Sequence, residues 1–263
     1  MSGPGAERAA LGPLVVLADD PAHSAVLTDF DGTLAPIVPD PETAEPLPGA
    51  AAVLGRLAAR YAVVAVVSGR PTSYLSRQLG AAGPALRLYG TYGLEWLEDG
   101  VLHRAPEAEP WLAPAAEILA AARAEAPPGT GIEDKGCSVT LHWRRAPEVG
   151  DWAQAFARRW AERTGMTLQP GRMAVEFRPP VGPDKGVVVE RLARGCRAAC
   201  FAGDDAGDLA AFAALDRLAA EGVHGVRVAV SDSESPPELT ARADMVVDGP
   251  HEALALLSAL ATD

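Results

Sequence analysis

Three short apolar runs in this chain each stop on a polar, glycine-containing turn, and no other feature constrains the fold as tightly. Residues 24–30 lead into Asp31-Gly32, residues 61–67 into Ser68-Gly69, and residues 197–202 into Gly203-Asp204-Asp205. Runs this short and unbroken, rich in Val and Ala, read as strands buried on both faces, as in a parallel sheet. Between the first two lies the segment 48–60, with Val53, Leu54 and Leu57 on one helical face. Strand, helix, strand with a right-handed crossover is therefore the expected opening. Pro71 followed by Tyr74, Leu75 and Leu79 adds a helix, and residues 86–89 add a strand.

From residue 105 to 180 the pattern changes. Residues 111–124 and 151–164 read as helices, while 138–143 and 173–177 alternate as half-buried strands, which together make a small α+β layer with one open sheet face. After Pro183 the βα rhythm returns, with helices over 185–194, 209–218 and 251–261 and strands over 197–202, 226–230 and 245–247. The order implies an α/β fold: a doubly wound, Rossmann-like parallel-sheet core (22–104 and 181–263) carrying an inserted α+β cap (105–180). Residues 1–21 read as a ragged N-terminal segment.

Composition excludes several function classes. With 263 residues, 48% of them hydrophobic, the chain can bury a sizeable core. Its formal charge of -12 argues against nucleic acid or anionic lipid as partner. Apolar runs fall far short of the roughly 20 residues that cross a bilayer, so no membrane partner is expected. Leu14 to Ala18 is apolar, but Glu7 precedes it and Asp19-Asp20 closes it, unlike a basic-headed signal peptide. Cys137, Cys196 and Cys200 are too few and too irregular for a disulfide framework or a zinc site, and read as buried thiols. A cytoplasmic location is the expectation.

The polar strand ends carry the chemistry. Asp29 and Asp31, two apart on an extended strand end, face the same side, at the sheet edge where open α/β folds bind ligands. Their mutual repulsion needs a cation, and an oxygen-ligated one such as Mg²⁺ would serve. Ser68 offers a hydroxyl, Asp204 another carboxylate, and Lys185 an ammonium at the positive end of a helix. Taken singly, these residues are ordinary turn and cap residues; taken in order, they converge on one rim. Lys135 and Lys185 are the chain's only lysines, and each lies in an Asp-Lys-Gly triplet. A guanidinium cannot replace a compact ammonium in a tight pocket.

The motifs DFDGT, SGR, DKG and GDD-x-x-D, in that order, resemble the four motifs of the haloacid dehalogenase superfamily of phosphatases. That resemblance implies Asp29 as nucleophile, Asp31 as general acid/base, and Ser68 and Lys185 as the phosphoryl-binding pair. It also implies Mg²⁺ as cofactor, bound by Asp29, Asp204 and the backbone carbonyl of Asp31. Whether Asp205 or Asp208 joins the metal shell stays open. Such chemistry needs in-line positioning and neutralised charge above all.

The inserted segment decides the ester. Glu133, Lys135, His142 and Arg144 lie along one hairpin-like stretch, with Glu176 and Arg178 on a later strand. Acids and cations side by side suit multiple hydroxyls, each of which donates and accepts. IEDKGCSVTLHWR, with the earlier YGTYGLE and the later EFRPPVGPDKG, resembles the trehalose-phosphatase family. This implies a phosphorylated disaccharide as substrate, trehalose 6-phosphate, with Glu133, Lys135 and Glu176 as sugar contacts. Arg144 and Arg70 join the substrate-binding set, and functional coupling to a trehalose-6-phosphate synthase follows as a partner expectation. The last motif, GDDAGDLAAF, departs from the family form, with Gly207, Leu209 and Ala210 in place of Thr, Glu and Asp. Alternatives are a phosphatase for sucrose phosphate or a glycosyl-phosphoglycerate, a phosphomutase, and a sugar-phosphate-binding module without catalysis.

Overall fold

β1 (Ser24–Thr28) is buried along its whole length and lies at the centre of the core sheet. In this computed structural model, residues 11–38, 43–171, 173–180, 182–232 and 235–262 are described. The chain divides into two units, Met1–His103 with Pro183–Asp263, and Arg104–Gly182.

In the first unit β1 is flanked by β2 (Val63–Val67) and β3 (Arg87–Gly90) on one side. On its other side lie β10 (Ala198–Gly203), β11 (His224–Ser231) and β12 (Met245–Asp248). All of these pair in parallel, so the chain winds outward from β1 in one direction and then returns to wind outward in the other. The reversal falls between β1 and β10, and a ligand crevice opens at such a switch point beyond the carboxyl ends of the strands.

The side chains of each strand alternate between two cores. Val26, Val64, Val66, Cys200 and Val228 meet the helices Ala50–Arg60, Thr72–Leu79 and Gly249–Leu260 on one face. Leu27, Ala65, Val67, Phe201 and Ala229 meet Lys185–Ala193 and Leu209–Ala219 on the other. Burial on both faces is why these strands read as unbroken apolar runs.

The N-terminal segment and the stretch after β3 differ from the sequence expectation. The N-terminal segment is not ragged from residue 11 onward: Leu11, Leu14 and Leu17 are buried in the first core, the last two across a short helical run ending with Val15–Asp19. Residues 1–10 of that reading lie outside the described residues. β3 is followed by an antiparallel edge, β4 (Glu95–Glu98) and β5 (Val101–Arg104), joined through Asp99 and Gly100, both at positive φ.

The second unit has a four-stranded sheet in the order β6 (Gly131–Asp134), β7 (Val139–His142), β9 (Ala174–Arg178), β8 (Thr167–Gly171), antiparallel throughout. Val139, Leu141, Val175 and Phe177 face the helices Glu109–Glu125 and Gly150–Thr164, whose Ile118, Ala122, Phe156 and Trp160 complete a core of their own. Alternation places Glu133, Thr140, His142 and Glu176 on the opposite face. No helix among the described residues is long and apolar enough to cross a membrane.

Candidate active site

The carboxyl ends of β1 and β10 deliver the central acids. The Asp29 backbone N–H donates to the Ala202 carbonyl at 2.8 Å, which continues the parallel ladder one step and holds Asp29 beside Asp204. Ligand oxygens of Asp29, Asp204 and Asp208 all lie within 4.8 Å of one another, the one such group of potential metal ligands among the described residues. Gly32 makes this approach feasible. Its φ is +74°, and a Cβ built there would lie 2.0 Å from Asp204 Oδ2, so any side chain displaces that carboxylate.

Lys185 opens its helix and is only 3% exposed. Its Nζ lies 3.0 Å from Asp29 Oδ1 and donates to Asp208 Oδ1 at 2.6 Å. The other oxygen of Asp208 accepts the backbone N–H groups of Asp204 and Asp205, at 2.9 and 3.0 Å. Asp208 is therefore committed to holding Lys185 and the 204–205 turn, while Asp29 and Asp204 keep oxygens for a ligand. Thr33, not singled out by sequence reasoning, donates to Asp204 Oδ1 at 3.3 Å.

The electrostatics report a shortage of positive charge. Burial, reinforced by Asp208 and Asp205, pushes the Asp204 carboxyl up to about 8. Burial also lifts Asp29 well above the usual carboxylate range; Lys185 opposes this, while the neighbouring acids add to it. Burial alone would lower Lys185, but Asp208 and Asp29 outweigh it and hold its pKa well above the ordinary value. One ammonium cannot neutralise two buried carboxylates and a half-buried third, and a divalent, oxygen-seeking cation fits the donor set.

The second rim residue group comes from the turn after β2. Ser68 is 1% exposed, and its hydroxyl accepts the Arg70 N–H at 3.1 Å. Arg70 reaches across to Asp31 through a two-pronged pair, Nε to Oδ2 at 2.8 Å and Nη2 to Oδ1 at 2.7 Å, with its guanidinium 4.7 Å above the Tyr74 ring. The structure thus brings Arg70 to the proposed acid/base. The carboxylate of Asp31 lies outside the acidic group and has both oxygens engaged by Arg70; the expectation for Asp31 as a metal residue concerned its backbone carbonyl. The YGTYGLE stretch backs this turn: Tyr92 N–H donates to the Ser68 carbonyl and Thr91 N–H to the Arg70 carbonyl, both at 2.9 Å. Thr91 and Tyr92 adopt positive φ to do so.

The inserted unit gathers a separate cluster. Glu176 Oε1 accepts from Lys135 Nζ at 3.2 Å and from Ser138 Oγ at 3.0 Å. Glu133 Oε2 lies 3.7 Å from Lys135 Nζ and 3.2 Å from His142 Nε2. Glu133, Lys135 and Glu176 are thus brought together, and Ser138 and His142 join them. The alternation of Ser138, Thr140 and His142 was the sequence signal for those two. Arg144, just past β7 and half-buried, lies outside this network.

A family model described as Trehalose-phosphatase matches residues 27–246. The chain belongs to the trehalose-phosphatase family. It is 35% identical over 251 residues to the trehalose-phosphate phosphatase of Mycolicibacterium paratuberculosis, an alignment covering 91% of this chain and 62% of that protein. The chain accordingly spans 62% of the length of each of the first two curated relatives it matches. Among solved structures it resembles a trehalose-6-phosphate phosphatase related protein with a TM-score of 0.75 and 25% identity, over 89% of this chain and 95% of the other. A haloacid dehalogenase-like hydrolase from Bacteroides thetaiotaomicron shares the fold at a TM-score of 0.60 and 14% identity, over 89% and 98% of the two chains. The doubly wound core with an inserted α+β unit is thus the haloacid dehalogenase architecture.

Proposed function

We propose that this chain is a Mg²⁺-dependent phosphatase that hydrolyses trehalose 6-phosphate to trehalose and phosphate. The observation that carries the reading is Asp29 held between Lys185 and Asp204 at the switch point of the sheet, in a chain of the trehalose-phosphatase family. A divalent cation held by Asp29 and Asp204 would neutralise the phosphoryl oxygens and the nucleophile's own charge.

In this reading an oxygen of Asp29 attacks phosphorus in line with the ester, and Asp31 gives its proton to the departing sugar oxygen. Asp31 then takes a proton from the water that attacks the aspartyl-phosphate, which releases phosphate and restores Asp29. Lys185 and Ser68 bind the phosphoryl oxygens. Arg70 has two anions to choose between: it pairs with Asp31 in the resting chain, and an arriving phosphate competes for the same guanidinium, which frees Asp31 to carry a proton. Glu133, Lys135 and Glu176 are assigned to the sugar hydroxyls, and Arg144 remains the weakest member of that set. A cytoplasmic setting suits three cysteines that form no disulfide, and the substrate ties the chain functionally to a trehalose-6-phosphate synthase.

Phosphate release from trehalose 6-phosphate, glucose 6-phosphate and sucrose 6-phosphate, with and without a chelator, tests the reading. The first ester is expected to be favoured at least about tenfold in kcat/KM, with activity lost on chelation and restored by Mg²⁺. Equal turnover of all three, or activity indifferent to chelation, would remove the specific claim. Gly32→Ala is a second test. Its Cβ would displace Asp204, so Mg²⁺ affinity by calorimetric titration is expected to fall about 10–100-fold, with little change in far-UV circular dichroism.

A further inference from the structure

On the polar face of the inserted sheet, the register sets Thr140 of β7 directly opposite Glu133 of β6 on one side and Glu176 of β9 on the other. Side chains opposed in this way share a face and lie within reach of one another. Thr140 therefore stands between two carboxylates. Its neighbours are partnered: Glu176 by Lys135 and Ser138, Glu133 by His142. Thr140 is not. The residue is 4% exposed, and its Oγ1 is buried with no hydrogen-bond partner.

A buried hydroxyl without a partner is unfavourable, because it has given up water and gained nothing. Valine has the same branched shape, suits a strand at least as well and carries no such penalty. Stability alone therefore gives no reason for threonine at this position, and the missing partner lies outside the chain. A hydroxyl flanked by carboxylates matches adjacent sugar hydroxyls: each can donate to a carboxylate and accept from the threonine.

We infer that Thr140 is a specificity-determining residue that hydrogen-bonds a hydroxyl of the substrate's sugar, an inference that rests on the sugar-phosphate reading above. Neither the acids of the core site nor the Lys135 network requires it, so its removal reads out recognition separately from phosphoryl transfer.

The test compares wild type, Thr140→Val and Thr140→Ser on trehalose 6-phosphate and on p-nitrophenyl phosphate, which has no sugar, together with thermal unfolding. For Thr140→Val, KM for the sugar ester is expected to rise about tenfold, and the preference over p-nitrophenyl phosphate to fall by the same factor. Its melting temperature is expected to equal or exceed that of wild type, and Thr140→Ser should restore the preference. If Thr140→Val keeps KM and preference within about twofold while wild type favours the sugar ester, the inference fails and the phosphatase reading stands. Equal losses on both esters, or a lowered melting temperature, would assign Thr140 a structural role and overturn it too. A wild type that cleaves p-nitrophenyl phosphate but no sugar phosphate overturns both readings.

Discussion

On the proposed reading, Asp29→Asn is expected to fold and to lose at least about a thousandfold in turnover of trehalose 6-phosphate, because an amide oxygen is too weak a nucleophile for the first step. Stability should move the other way. Asp29 is buried beside Asp204 and Asp208, and its carboxyl titrates well above the usual range, burial being the main cause. An acid whose folded pKa exceeds its unfolded one contributes most at low pH and subtracts stability as pH rises through the unfolded value. At neutral pH, uncharged asparagine removes that cost. The metal-free variant should therefore melt no lower than wild type, with Lys185 still bonded to Asp208. Turnover near wild type, with mass spectrometry excluding deamidation back to aspartate, would dismiss Asp29 as nucleophile.

The core was legible in the sequence because burial on both faces writes itself as unbroken apolar runs, and because its polar groups follow those runs directly. Asp29, Ser68 and Asp204 all lie within two residues of strand ends, so knowing the strands nearly locates the acids. The edge hairpin of β4 and β5 was passed over although Asp99-Gly100 between E-W-L-E and V-L-H-R is a strong hairpin signal. β8 was hidden by Pro170-Gly171, which reads as a turn; an edge strand tolerates proline because its unpaired side needs no donor. Leu11, Leu14 and Leu17 were lost for another reason: a single 3-10 turn (Gly12–Leu14) running into a five-residue helix (Val15–Asp19) is too short to show a period.

Side-chain partnerships were less legible than positions. Arg70 and Asp31 are distant in the chain, and nothing in their spacing announces a two-pronged pair. Asp208 stood out as the last acid of GDD-x-x-D but its partner did not, since an acid there can meet a cation or cap the following helix. It does both: its carboxylate closes a capping box with Asp205 and holds Lys185. That dual use gives a physical account of how the site keeps its shape despite Gly207, Leu209 and Ala210 in the last motif.

Lys185→Met is expected to be the most destabilising change at the site as well as a severely inactivating one. The ammonium is 3% exposed and lies against Asp29 and Asp208, so its loss strands buried carboxylates with no counter-charge. Breaking a buried pair from one side typically costs about 3–5 kcal/mol. On the proposed reading, activity should fall by about two to three orders of magnitude, since the phosphoryl oxygens would lose a preorganised cation. A variant that fails to fold would leave these effects entangled, and Lys185→Met combined with Asp208→Asn separates them. The double variant removes one charge of each sign, while asparagine retains an oxygen for the 204–205 backbone N–H groups. It should recover much of the lost stability, as a strong coupling energy in a double-mutant cycle, and none of the activity. Recovery of both would mean that Lys185 serves only to offset Asp208, and independent, additive losses in stability would mean that the two side chains do not form the buried pair on which the site's geometry rests.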